Sequence, residues 1–86
     1  MKAPNGWTDD GMTLRRVYET AGFGAAVAVI GKIAILAQEA DHHPDLHLTG
    51  YRRLEVVLTT HEAGGKVTDK DYSLAEKIEA LPKVLK

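Results

Sequence analysis

All four histidines of this 86-residue chain lie within residues 41–62, and they are His42, His43, His47 and His61. Imidazole is the side chain whose unperturbed pKa lies nearest neutrality, so it can both donate and accept a proton under ordinary conditions. No other segment of the sequence concentrates residues suited to chemistry. The segment is therefore the candidate site, and general acid–base catalysis is the chemistry that it favours.

Two elements must bring these histidines together. His42 and His43 precede Pro44 at the end of a predicted helix, and His61 closes a predicted strand. If the helix packs on the sheet, the two ends can meet, and we expect the three imidazoles to converge. His47 stands alone in another predicted strand, where a solvated surface position is the simpler interpretation.

A metal site is the alternative interpretation, because three histidines and a water molecule form a known catalytic zinc centre. Adjacent histidines rarely point the same way, however. The chain also has neither a His-x-x-x-His pair on one predicted helix nor any cysteine. We therefore predict proton transfer without a metal ion or another cofactor.

The length and charge of the chain limit the remaining classes. The 86 residues form one domain, residues 1–86, and so short a chain buries only a modest share of its surface, so we expect it to associate with copies of itself. Its 11 basic and 12 acidic residues nearly cancel, which argues against a nucleic-acid partner. No signal peptide opens the chain, and its longest apolar run, residues 25–30, is too short to cross a bilayer. A soluble cytoplasmic protein without membrane contact is expected.

The first half of the chain predicts a hairpin and a helix. An Asp-Gly pair at Asp10-Gly11 suits a tight turn between strands at residues 7–8 and 12–18. Apolar residues at steps of three and four then predict an amphipathic helix that ends before Pro44. Val29 and Leu36 lie off its predicted stripe and are expected to face other copies. The expected buried stripe comprises Phe23, Val27, Ile30, Ile33, Ala34 and Ala37.

The second half predicts another hairpin, with strands at residues 46–49 and 54–60 around Gly50. Side chains alternate across a strand, so Leu54, Val56 and Leu58 are expected to face the core. The opposite face of this strand then carries Glu55, Val57, Thr59 and His61.

The last predicted element is a helix over residues 69–81. Thr68 and Asp71 have the spacing of a capping box at its start. The order of elements, β-β-α-β-β-α, predicts a two-layer α+β domain with both helices on one face of an antiparallel four-stranded sheet. The expected buried residues of the helix are Tyr72, Leu74, Ala75, Ile78 and Leu81.

The order of motifs along the chain resembles the pterin-4a-carbinolamine dehydratase family. A lone His-His-Pro would be a weak signal, whereas the ordered set is specific and covers about half of the chain. The set consists of Asp-His-His-Pro at residues 41–44, an aromatic seven residues past the proline (Tyr51), Leu-Thr-Thr-His-Glu at 58–62, a Gly-Gly loop, Asp71 opening the last helix, and Leu-Ala-x-x-Ile at 74–78.

This resemblance implies a fold of the kind predicted above and a homodimer or dimer of dimers, that is, a homotetramer. It implies the activity of a 4a-hydroxytetrahydrobiopterin dehydratase, a hydro-lyase that needs no metal. Such an enzyme converts the small-molecule substrate 4a-hydroxytetrahydropterin to quinonoid dihydropterin and water.

In that family the histidines of the motif form the active site, and here they are His42, His43 and His61. The elimination needs a proton delivered to the leaving 4a-oxygen while N5 loses its own. We assign His42 and His61 to proton transfer and His43 to substrate placement. The residues expected to bind the substrate or orient the imidazoles are Asp41, Pro44, Thr60, Glu62 and Asp71, a helix cap alone being the alternative for Asp71.

The chain departs from the family at two positions. The family often has a Trp two residues past the proline, where this chain has Leu46, and a Glu four residues before the first histidine, where it has Gln38. We expect Leu46 to flank the pocket in place of the Trp. The pocket itself should open at the sheet edge, near the start of the last helix.

A non-catalytic dimerisation or assembly protein is the alternative function. The resemblance also implies dimer surfaces able to dock on a protein partner. The three histidines favour the enzyme, because docking alone does not require imidazoles at those positions. A metal-dependent hydrolase is a distant third hypothesis.

Overall fold

The structure is a computed structural model that describes residues 2–86. Its elements follow the predicted order, with one short 3₁₀ helix that was not predicted. In chain order they are β1 (Thr8–Asp9), β2 (Leu14–Glu19), α1 (Phe23–Ala40), β3 (Asp45–Thr49), β4 (Arg53–Leu58), the 3₁₀ helix (His61–Ala63) and α2 (Asp69–Ala80).

The four strands form one antiparallel sheet in the order β1-β2-β4-β3. In the central pair Leu14 lies opposite Leu58, and Tyr18 lies opposite Leu54, so these four side chains share a face. The predicted inward side of β4 is confirmed. Both helices pack on this face, where the core consists of Trp7, Leu14, Tyr18, Val29, Ile33, Leu54, Val56, Leu58, Leu74, Ala75 and Ile78.

The buried side of α1 differs from the predicted one. Val29 lies in the core and Leu36 packs against it, although both were expected off the stripe. Phe23 and Val27, which were expected inside, are 58% and 46% exposed. The prediction was wrong because nearly every position of α1 is apolar or small. A pattern of apolar residues three and four positions apart therefore fits more than one face of the helix. The buried residues of α1 are Ala26, Val29, Ile33 and Ala37.

By length and composition, α1 could also cross a membrane, since its 18 residues have a mean hydropathy of 1.5. The sequence analysis considered only the uninterrupted apolar run at residues 25–30 and therefore missed this property. One side of the helix nevertheless packs on the sheet, as the core helix of a folded domain does, with Val29 and Ile33 almost fully buried. The other side of α1 is apolar and exposed, with Phe23, Val27 and Ile35 between 46% and 62% exposed.

Candidate active site

A left-handed turn at the end of α1 separates the two adjacent histidines. Asp41 has φ 49°, a conformation that Asp tolerates better than most residues. The N–H of Asp41 donates to the carbonyl of Gln38 (3.3 Å), and the N–H of His42 donates to that of Ala37 (3.1 Å), which together close the helix end. After this turn His42 is buried and His43 is exposed.

The loop after β4 carries the third histidine. The strand ends at Leu58, earlier than predicted, and His61 opens the 3₁₀ helix instead of closing a strand. The N–H of Thr60 donates to the carbonyl of Lys66 (2.9 Å), so the chain between them forms a closed loop. The loop turns back at Gly64 and Gly65. Both have φ 79°, a backbone conformation that favours glycine.

The ends of α1 and β4 meet, and the three predicted catalytic histidines line one cavity of about 120 Å³. His47 lies elsewhere, exposed on the opposite face of the sheet, where β3 pairs it with Glu55. The cavity lies between the end of α1 and residues 59–62. Its lining consists of Asp41, His42, His43, Thr59, His61 and Glu62.

Asp71 lies behind His42, with none of its surface exposed. Its Oδ1 is 2.6 Å from Nε2 of His42. Its Oδ2 accepts hydrogen bonds from the hydroxyl of Thr60 (2.7 Å) and the backbone N–H of Thr68 (2.9 Å). The bond from Thr68 is half of the predicted capping box, so one carboxylate both caps α2 and contacts a histidine of the cavity.

The side chain that contacts His43 is an amide, whereas the one that contacts His42 is a carboxylate. Nε2 of His43 lies 2.8 Å from Oε1 of Gln38, at the position where the family often has a Glu. An amide can both donate and accept a hydrogen bond, whereas a carboxylate only accepts. Gln38 can therefore orient His43 without dictating which of its ring nitrogens is protonated.

Glu62 supplies a negative charge at the mouth of the cavity. A hydrogen bond from its own backbone N–H, and then the Lys70 ammonium, hold the pKa of Glu62 below its usual value, and His42 and His61 act in the same direction. Glu62 is exposed, and its carboxylate can accept hydrogen bonds from N–H groups of a ligand.

A wider groove of about 570 Å³ borders the histidine cavity, and Glu62 lines both. The histidine cavity alone is smaller than the roughly 300–1,000 Å³ of typical small-molecule sites. The groove enlarges the space beside the histidines. It is lined by Thr60, Glu62, Ala63, Thr68, Asp69 and Lys70.

The remaining predicted residues are distributed unevenly around the site. Asp41 and Glu62 line the cavity, whereas Thr60 and Asp71 are buried behind it. Pro44 is half-buried and is not part of its lining. The expectation for Leu46 was wrong, because Leu46 packs against the core on the inner face of β3.

Sequence reasoning missed several polar residues near the site. Thr59 lines the histidine cavity, and Thr68 and Lys70 line the groove. Thr68 was visible only as a helix cap, and nothing in the sequence distinguished Lys70 from other surface lysines. Within residues 2–86, no three His, Cys, Asp or Glu side chains are grouped so as to hold a metal ion.

Comparison with known proteins identifies the family of this chain. The family model described as pterin 4 alpha carbinolamine dehydratase matches residues 1–81. A Thermomicrobium roseum protein, provisionally named as such a dehydratase, is 45% identical over 76 residues, which are 88% of this chain and 80% of the relative. A Streptomyces coelicolor protein with the same provisional name is 42% identical over 76 residues, covering 88% and 74% of the two chains.

Solved structures share the fold. The crystal structure of a transcriptional coactivator/pterin dehydratase from Brucella melitensis superposes with a TM-score of 0.79 at 29% identity, covering 88% of this chain and 81% of that one. A pterin dehydratase-like protein described as a RuBisCO assembly factor in the alpha-carboxysome has a TM-score of 0.71 at 16% identity, covering 88% of each chain. The match over residues 1–81 and the 45% identity together show that this chain belongs to the pterin-4a-carbinolamine dehydratase family.

Proposed function

We propose that this protein dehydrates 4a-hydroxytetrahydropterin to quinonoid dihydropterin. The observation that carries the proposal is the convergence of His42, His43 and His61 on one cavity in a chain of this family. In the reaction the C4a–O and N5–H bonds break, a C4a=N5 bond forms, and the hydroxyl leaves as water. The step needs one group that protonates the leaving oxygen and one that takes the N5 proton.

The contacts of the histidines support a division of these roles. Oδ1 of Asp71, 2.6 Å from Nε2 of His42, holds this ring in one orientation beside the cavity. His42 is therefore the proposed acceptor of the N5 proton. His61 is exposed on the 3₁₀ helix and is the proposed donor to the leaving hydroxyl. His43, held by Gln38, places the substrate.

Glu62 is the proposed ligand of the aminopyrimidine edge of the pterin. That edge presents adjacent N–H groups, and an ionised carboxylate can accept two of them at once. Glu62 lies between the histidine cavity and the wider groove. A pterin whose C4a faces the histidines would then extend past Glu62 into the groove.

A second candidate function is non-catalytic assembly of a partner protein, and the exposed apolar side of α1 favours it. Phe23, Val27 and Ile35 are between 46% and 62% exposed. We propose that a second copy of this chain covers this surface, in a dimer or a dimer of dimers. A domain this small gains stability when it buries apolar surface. A distant relative of the same fold is described as an assembly factor, which keeps a foreign partner as the alternative.

A direct assay tests the proposed activity. Purified protein is added to freshly generated 4a-hydroxytetrahydropterin, and formation of the quinonoid product is followed by absorbance against the uncatalysed rate. His47→Ala serves as the matched control, because His47 is exposed and lies outside the cavity. Acceleration by the wild type and by His47→Ala is expected. A wild-type rate no faster than the uncatalysed one would reject the enzyme and favour the assembly function.

A further inference from the structure

We infer that Thr60 is a positioning residue, which acts through Asp71 to keep Nε2 of His42 protonated and to leave Nδ1 as the atom that exchanges protons. The role of Nδ1 in catalysis rests on the proposed dehydratase activity. The protonation of Nε2 does not rest on it, and it can be measured separately.

The first step is a short chain of hydroxyl groups. The Thr60 and Thr68 hydroxyl oxygens are 2.7 Å apart, and the Thr60 hydroxyl is also 2.7 Å from Oδ2 of Asp71. The Thr60 hydroxyl has one proton, which it donates to Oδ2 of Asp71, so it accepts its other hydrogen bond from Thr68. Thr60 is 4% exposed and Asp71 is 0% exposed, so water does not replace these bonds.

The second step concerns the hydrogen bonds of Asp71. Its Oδ2 also accepts the backbone N–H of Thr68, at the start of α2. With these two donors on Oδ2, Oδ1 remains for Nε2 of His42 at 2.6 Å. Nε2 must then carry a hydrogen whether the imidazole is neutral or charged.

The third step concerns the other ring nitrogen of His42. Among residues 2–86, no buried side-chain nitrogen or oxygen lacks a hydrogen-bond partner, and Nδ1 of His42 bonds to none of these residues. Although His42 as a whole is only 7% exposed, Nδ1 therefore keeps some accessible surface. Because His42 lines the cavity with His43 and His61, Nδ1 is the nitrogen available to a ligand there.

The test compares two substitutions of Thr60. Thr60→Val removes the hydroxyl with nearly the same shape, and Thr60→Ser keeps it. Thr20→Val is the matched control, because Thr20 is equally buried and its hydroxyl donates to the carbonyl of Arg52 at the other end of the sheet. The ¹⁵N chemical shifts of the His42 ring report its tautomer, and steady-state kinetics give kcat and KM.

We expect the Nε2–H tautomer in the wild type, Thr60→Ser and Thr20→Val, and a mixture of tautomers in Thr60→Val. The kcat of Thr60→Val should fall by roughly 10- to 100-fold with KM little changed, as when a group that orients a histidine is lost. The same tautomer and kcat in Thr60→Val as in the wild type would overturn the inference.

Two other outcomes are also decisive. If Thr60→Val does not fold, the wild-type spectrum decides, because an Nδ1–H tautomer there overturns the inference and an Nε2–H tautomer supports it. If the wild type has no dehydratase activity but its tautomer depends on the Thr60 hydroxyl, the proposed function fails and the positioning role of Thr60 stands.

Discussion

The hydroxyl of Tyr18 donates a 2.6 Å hydrogen bond to Oε1 of Glu79, which ties β2 to the last turns of α2. The indole N–H of Trp7 donates to the same oxygen (2.8 Å), so the N-terminal segment is held there too. Burial opposes ionisation of Glu79, but these hydrogen bonds, with one from Arg16, hold its pKa below the usual value. Burial, and then the bond to Glu79, raise the pKa of Tyr18 well above its usual range.

Glu79→Gln should therefore lower the free energy of unfolding by about 1–3 kcal/mol near neutral pH, since hydrogen bonds to a charged group are lost. Because the folded-state pKa of Glu79 is lowered, its contribution is complete above the usual value of 4.5 and is lost as the pH falls through the folded pKa. Urea unfolding near neutral pH and in acid measures both effects. Glu76→Gln, at an exposed position of α2, should change stability by less than about 0.5 kcal/mol. Equal stability of the two variants would contradict this role of Glu79.

Replacing His61 with Ala should remove a proton-transfer group and leave the fold intact, because His61 is exposed. We expect kcat/KM to fall by roughly 10²- to 10⁴-fold, the range that general acid–base catalysis supplies. The measurement is the dehydration assay, with unfolding curves as a check on structure and His47→Ala as the control. Full activity of His61→Ala would exclude His61 from the chemistry, and loss of wild-type activity on treatment with a chelator would contradict a metal-free reaction.

Glu62→Gln tests recognition of the substrate. The amide keeps the shape of the side chain but loses the charge that would accept two N–H groups, so KM should rise by about 10-fold, equivalent to ~1.4 kcal/mol. Because the carboxylate lies outside the proposed proton transfers, kcat should change much less. Asp45→Asn, an exposed acidic position on β3, is the control. A loss confined to kcat would assign Glu62 to the chemistry instead of to binding.

The exposed apolar side of α1 should bind a second copy of this chain. Introducing a charge by Ile35→Glu should dissociate the oligomer, because Ile35 is 62% exposed here and would be buried in an interface. Sedimentation equilibrium at micromolar concentration measures the mass. Glu39→Lys changes the charge of an exposed polar position on the same helix and should leave the mass unchanged. A wild type that sediments only as a monomer would contradict the prediction.

The packing of Leu46 changes the expected effect of Leu46→Trp. On sequence grounds the larger ring was expected to add a wall to the pocket, but Leu46 lies opposite Val56 on the core side of the sheet. A Trp there should overpack a partly buried site and lower the free energy of unfolding by about 1 kcal/mol. Urea unfolding and titration with a pterin analogue measure the two effects. Tighter binding of the analogue would restore the original expectation.

The sequence by itself determined the elements whose local residue patterns are compatible with only one structure. The alternation of Leu54, Val56 and Leu58 specifies a strand and its inward side, because a shift by one residue would expose all three. The spacing of Thr68 and Asp71 specifies the start of α2 through backbone bonds that are local. The grouping of the histidines within residues 41–62 indicated the candidate site before any contact was known.

Only the tertiary structure decided which side of α1 faces the core, because the helix is apolar or small on several sides and its periodicity has more than one solution. It also decided that Asp71 pairs with His42, a contact between residues far apart in the chain that no local pattern encodes. The same holds for Leu46, whose side of β3 depends on how that strand pairs with β4. Such features depend on how the elements pack, and packing is settled by contacts between distant segments rather than by the order of residues within each one.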